Sequence, residues 1–140
     1  MLSVLTNTTL QEIKEYVSAA KERSPHLASR IDRALYLILM RDFRVTSETT
    51  TEIESETEEG RYYQLTNGKV CNCADFTRKN APNGWCKHKL AFFIVTRLET
   101  MTQERLASTE QRLRDLEARL AAMVVLQQPS QGLKLSARRA

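Results

Sequence analysis

Residues 71–88 read CNCADFTRKNAPNGWCKH and contain all three cysteines of the chain and one of its two histidines. The pattern is Cys-x-Cys, a gap of twelve residues, and Cys-x-His. One half of this pattern alone would fit cysteines that are simply small buried residues. Both halves together supply three thiolates and one imidazole, the ligand types of a tetrahedral structural zinc site. The sequence therefore predicts Zn²⁺ as cofactor, bound by Cys71, Cys73, Cys86 and His88.

The neighbouring residues predict how these ligands are presented. The Asn-Gly pair at 67–68, between two β-prone runs, predicts a hairpin whose second strand reaches Cys71. Side chains two residues apart in a strand project from the same face, so Cys71 and Cys73 should both point at the metal from that strand. In a helix such side chains do not share a face, so Cys86 should lie just before a helix and His88 in its first turn.

Two helices and a strand are predicted upstream. A capping box at 9–12 begins an apolar helical pattern that predicts a helix over about 9–22. Ser24-Pro25 then supplies an N-cap and a first-turn proline, which predicts a second helix from about Pro25 to Asp42. The Thr- and Glu-rich stretch at 45–56 has no helical periodicity and predicts a largely exposed strand.

Downstream of the cysteines, five apolar residues and one threonine recur with a seven-residue period. The ladder consists of Leu106, Thr109, Leu113, Leu116, Leu120 and Met123. It is flanked by charged residues as coiled-coil cores are, namely Arg112, Arg114, Asp115, Glu117 and Arg119. About three heptads of this kind predict a coiled coil, and a second copy of the chain is the simplest partner. The predicted assembly is a homodimer; the alternative is that this helix packs on the first two helices of its own chain.

The predicted fold class of the 140-residue chain is α+β. It has N-terminal helices, a small antiparallel β-hairpin zinc finger, and a C-terminal helix that extends into a short coiled coil. The corresponding segments are 1–43 for the N-terminal helices, 44–98 for the zinc finger, 99–128 for the heptad helix and 129–140 for a flexible basic tail.

Positive charge is concentrated around the cysteines. Residues 61–98 carry seven basic side chains and one acidic side chain, a net charge of +6 within a chain of +4. Arg78, Lys79, Lys87 and Lys89 bracket the metal loop and are the predicted contacts to nucleic-acid phosphates. The alternative is that they only solubilise the surface. The nearby aromatics, Phe76 and Trp85, could stack on unpaired bases, although packing beneath the metal site is the preferred interpretation.

Several classes of function are disfavoured. The apolar runs at 34–40 and 90–96 are far shorter than the roughly 20 residues of a membrane-spanning helix, so no membrane partner is expected. The first residues lack a basic segment and a cleavage site, which predicts a cytoplasmic protein with reduced thiols. No enzyme is predicted, because four protein ligands would close the metal site and no phosphate-binding loop is present.

The ligand pattern resembles the SWIM zinc finger, which is defined by CxC, a spacer and CxH. Ala-Asp-Phe at 74–76 resembles the Pro-Asp-Phe common in that family, and Cys-Lys-His at 86–88 is likewise followed by an apolar run. Ala74 and Lys89 depart from the usual proline and aliphatic residue. The resemblance covers about Val45 to Leu98.

This resemblance implies a module that interacts with nucleic acid or protein. The chain is therefore predicted to be a zinc-binding accessory protein that binds nucleic acid, with DNA favoured, through a SWIM-like finger. The alternative is a protein-protein interaction adaptor that uses the zinc finger and the heptad helix.

Overall fold

Helix α1 forms where the capping box predicts it in the computed structural model, which describes residues 8–127. It spans Leu10–Arg23 and has Thr9 as its N-cap. The Thr9 hydroxyl accepts a hydrogen bond from the backbone N–H of Glu12 at 3.2 Å, and the Glu12 carboxylate accepts one from the Thr9 N–H at 2.7 Å. Two N–H groups at the helix start are thereby satisfied.

Helix α2 spans Ala28–Met40 and is shorter at both ends than predicted. The preceding residues, Pro25–Leu27, form a 3₁₀ turn, and the Ser24 side chain makes no capping hydrogen bond. At the other end Arg41 is extended, and the carbonyl of Asp42 accepts a hydrogen bond from the backbone N–H of Glu54. The chain leaves the helix because its next residues pair with the sheet.

Within residues 8–127 the strands form one antiparallel sheet in the order β1-β2-β3-β4. The strands are β1 (Phe43–Val45), β2 (Thr50–Glu54), β3 (Tyr62–Thr66) and β4 (Val70–Cys71). The fold class is therefore α+β, as predicted. The β3–β4 turn has Asn67 at φ 52° and Gly68 at φ 65°, the left-handed conformations that an Asn-Gly hairpin turn requires.

The prediction of one largely exposed strand over 45–56 is wrong in two respects. Val45 ends β1 and a turn separates it from β2, because the Ser47 hydroxyl accepts hydrogen bonds from the N–H groups of Thr49 and Thr50. The inward side chains of the second part are also buried, including Ile53, which is fully enclosed. Alternation of Thr and Glu thus marks a strand with one buried face.

Helix α3 is a single turn at Ala74–Thr77, and helix α4 spans Lys87–Gln127. The chain divides into an N-terminal unit, Met1–Thr102, and a C-terminal unit, Gln103–Ala140. The core of the N-terminal unit combines side chains of α1, α2, β2 and the start of α4, including Ile13, Val17, Ile31, Leu37, Ile38, Ile53, Leu90, Ile94 and Leu98. A second, smaller buried cluster contains Leu65, Cys71, Cys73, Ala81 and Cys86.

In the C-terminal unit, residues 103–127 are helical and exposed along their whole length. This is the segment that carries the heptad ladder. The predicted tail at 129–140 lies outside the described residues. Among the helices of residues 8–127, none has the combination of length and hydropathy that crossing a bilayer requires.

Candidate metal centre

The four predicted ligands come together at one buried point. Their donor atoms all lie within 4.8 Å of one another, and the side chains of Cys71, Cys73, Cys86 and His88 are all buried. In a tetrahedron with metal–sulfur bonds of about 2.3 Å, two sulfurs lie about 3.8 Å apart. Small side-chain movements would bring these donors to that spacing. This group, called the Cys₃His cluster below, could therefore hold a metal ion.

Cys71 and Cys73 reach the cluster from different elements, contrary to the prediction that one strand presents both. Strand β4 ends at Cys71, and Cys73 is the N-cap of α3, a single helical turn at Ala74–Thr77. The chain departs from the strand at Asn72, whose side-chain carbonyl accepts a hydrogen bond from the N–H of Gln64 at 2.9 Å. The Asn72 side chain, and not a backbone carbonyl, is thereby the acceptor for this N–H of β3, and β4 ends at Cys71.

Cys86 and His88 are placed as predicted, on either side of the start of α4. A turn with left-handed residues at Asn83 and Gly84 precedes them. The Cys86 carbonyl accepts a hydrogen bond from the N–H of Leu90 at 3.0 Å, which begins the helical hydrogen-bond pattern. Cys86 therefore lies just before the helix, and His88 is its second residue.

The imidazole of His88 has a defined orientation. Its Nδ1 lies 3.8 Å from Sγ of Cys71, so Nδ1 faces the cluster. The ring packs against Tyr63 with centroids 4.6 Å apart. The other ring nitrogen, Nε2, is buried without a hydrogen-bond partner among residues 8–127. Nδ1 is therefore the ring nitrogen that lies beside Cys71.

The thiols of the cluster act on one another. Hydrogen bonds from the thiols of Cys71 and Cys86 lower the pKa of Cys73. The same contact with Cys73 raises the pKa of Cys71. The thiolate is the form of cysteine that binds metals.

An ion pair that the sequence did not predict fixes the metal loop to α2. Arg30 donates to both carboxylate oxygens of Asp75, at 3.1 and 3.0 Å, and also to the backbone carbonyl of Asn80. Asp75 follows Cys73 by two residues, so this bidentate contact holds α3 against α2. One signal was available: Asp75 is the single acidic residue between 61 and 98.

A second ion-pair group, also not predicted, engages Lys87. Its ammonium hydrogen-bonds to the Glu56 carboxylate, which also accepts from Arg33 at 3.0 Å. Burial opposes ionisation of Glu56, but the hydrogen bonds and charges of Lys87 and Arg33 together lower its pKa. Lys87 therefore already has an anionic partner within the protein, the Glu56 carboxylate.

The other predicted nucleic-acid contacts differ from Lys87. Arg78 and Lys79 are exposed on the loop between the second and third ligands, and neither joins an ion pair within residues 8–127. The ammonium of Lys89 lies 4.7 Å above the ring of Trp85. The aromatics are half-buried: Phe76 packs against the cysteines, and Trp85 packs against the main core.

A comparison of the chain with protein-family models, curated proteins and solved structures finds no match. The resemblance to SWIM fingers rests on the ligand pattern and its flanking residues.

Proposed function

We propose that the chain is a zinc-binding accessory protein whose SWIM-like finger binds nucleic acid, with DNA favoured. The observation that carries this proposal is the position of Arg78 and Lys79. Both are exposed, both lack an internal ion pair among the described residues, and both lie on the loop that the Cys₃His cluster closes. Cations fixed on a rigid loop are suited to phosphate contacts.

The donor set supports zinc as the metal. Three soft thiolates and one imidazole suit zinc, whereas magnesium and calcium prefer oxygen ligands. Four protein donors complete a tetrahedron and leave no position for a water or substrate, which is typical of a structural site. We therefore propose a structural zinc and no catalytic role. When bound, the ion supplies folding energy and fixes the loop geometry.

The four predicted contacts are unequal in this proposal. Arg78 and Lys79 form its centre, and Lys89 extends it from the first turn of α4. Lys87 contributes least, because contact with a phosphate would cost it the hydrogen bond to Glu56.

Fluorescence anisotropy with single- and double-stranded DNA and RNA of equal length, at two salt concentrations, tests the proposal. Arg78→Gln with Lys79→Gln should weaken binding uniformly across sequences and reduce the salt slope by about one for each lost contact. The matched control is Lys14→Gln with Arg23→Gln, which removes two charges from exposed residues of α1. Its binding should be close to wild type.

Equal affinities for the two double variants, each with its zinc retained, would contradict nucleic-acid binding through this loop. The adaptor would then be the better proposal. It is favoured independently by the exposed heptad ladder of the C-terminal unit, whose apolar side chains suit a protein partner.

A further inference from the structure

The C-terminal unit presents an apolar stripe at coiled-coil spacing. Positions a of the heptads are Leu106, Leu113 and Leu120, and positions d are Thr109, Leu116 and Met123. The leucines at a are 41%, 54% and 61% exposed. Side chains of this size, repeated over three heptads, need a partner surface to be buried.

The positions that flank this stripe divide by charge. Position g is Arg105, Arg112, Arg119 and Leu126, so its ionisable residues are all basic. Position e is Gln103, Glu110, Glu117 and Val124, so its ionisable residues are both acidic. All are exposed. One edge of the stripe is therefore basic and the opposite edge is acidic.

This division selects an orientation for a pair of such helices. In a parallel, in-register pair, each g residue faces the e residue five positions later on the other helix. Arg105 then faces Glu110, and Arg112 faces Glu117, twice each by symmetry. In an antiparallel pair, g faces g and e faces e, so arginine meets arginine and glutamate meets glutamate.

We propose that residues 103–127 of two copies form a parallel, in-register, two-stranded coiled coil. The proposal deepens the homodimer prediction and does not depend on nucleic-acid binding. Its consequence is that residue 103 of each copy lies at the same end of the coil. The two chains are thereby joined symmetrically, and each bears its own Cys₃His cluster.

Cross-linking at a core position tests the orientation. In the proposed coil, Thr109 faces Thr109 of the second copy, so a Thr109→Cys variant should form an intermolecular disulfide in a glutathione redox buffer. In an antiparallel pair centred on the same segment, residue 109 of one copy would face a residue that lies more than two helical turns from residue 109 of the other copy. The matched control is Ala122→Cys at the outer position c. It should form little disulfide, and zinc content should be equal in both variants.

Charge reversal tests the edge pairs. Arg112→Glu should raise the dimer dissociation constant by about tenfold, because two attractive pairs become repulsive. Adding Glu117→Arg should restore it, since the pairs return with reversed signs. Sedimentation equilibrium measures the constants. An unchanged constant for Arg112→Glu, a mass above the dimer, or equal cross-linking at 109 and 122 would overturn the proposal. Anisotropy of the Arg112→Glu protein tests nucleic-acid binding separately, because Arg112 lies outside the metal loop.

Discussion

His88 illustrates how the metal centre depends on single side chains. Only 2% of its surface is exposed, one ring nitrogen faces Cys71, and the ring packs on Tyr63. Without a metal ion, burial of the imidazole beside three thiols contributes little to stability, since burying a polar group costs free energy unless the group is hydrogen-bonded or coordinates a metal. With the ion, the same side chain links α4 to the loop that follows the sheet.

Replacement of this ligand should therefore affect metal content and stability together. We expect one zinc per chain in the wild type, and a much lower content in His88→Ala. The melting temperature should fall by at least about 10 °C, because structural zinc supplies folding energy directly. Elemental analysis and calorimetry measure the two quantities.

The other histidine offers a matched control. His26 is exposed on the 3₁₀ turn before α2, so His26→Ala should keep both its zinc and its melting temperature. If His88→Ala kept its metal and stability as well, the ligand assignment would be wrong.

At the residue scale, the sequence predicts features that depend on residue type and local spacing. It does not predict features that depend on contacts between residues far apart in the chain. The Cys₃His cluster could be predicted because the types and spacing of its four residues are themselves the signal. The Arg30–Asp75 pair joins residues 45 positions apart and has no local pattern. The departure of the chain from β4 before Cys73 involves a side-chain hydrogen bond, donated by the Gln64 N–H to the Asn72 carbonyl oxygen, that has no pattern in the sequence.

Among the elements, the β3–β4 hairpin is held to α4 by a close approach of backbone and ring. Gly68 has φ 65°, and a Cβ built there would lie 2.7 Å from a ring carbon of Phe92. The residue is thus restricted by its conformation and by its neighbour. The hairpin carries Cys71 at its end, so this contact also positions the first residue of the Cys₃His cluster.

Gly68→Ala should lower the free energy of unfolding by about 2–4 kcal/mol, from left-handed strain together with the clash. Gly60→Ala separates these two causes. Gly60 has φ 78° but nothing within 4 Å of its added Cβ, so we expect a loss of only about 1 kcal/mol. Urea denaturation of both variants, with zinc present throughout, gives the comparison. Equal losses would mean that the Phe92 contact contributes nothing.

Elements with strong local signals were predicted well. The capping box located α1 to within one residue, and Asn-Gly located the β3–β4 turn. The turn between β1 and β2 was missed because it contains neither glycine nor proline. It is instead closed by the Ser47 hydroxyl, and serine is a weaker turn signal than asparagine or aspartate.

For the molecule as a whole, the exposed ladder of residues 103–127 makes self-association the expected state. Leu113→Asp with Leu120→Asp should yield a monomer, since each unpaired carboxylate would be buried in the seam. The control, Ala118→Asp with Ala122→Asp, adds the same charges at the outer positions f and c and should remain a dimer. Light scattering at micromolar concentration decides between them. A monomeric wild type, or a dimeric seam variant, would contradict the homodimer.

The spacing of the ligands also affects the unfolded chain. A metal ion held by the Cys₃His cluster would join Cys73 to Cys86, so its binding would close a loop of chain much as a covalent cross-link does. The entropy of such closure varies only logarithmically with contour length, by about 0.6 kcal/mol for each doubling. The number of residues between the two half-patterns therefore has little effect on this entropy. Replacing one of the metal-binding residues, in contrast, would remove the cross-link.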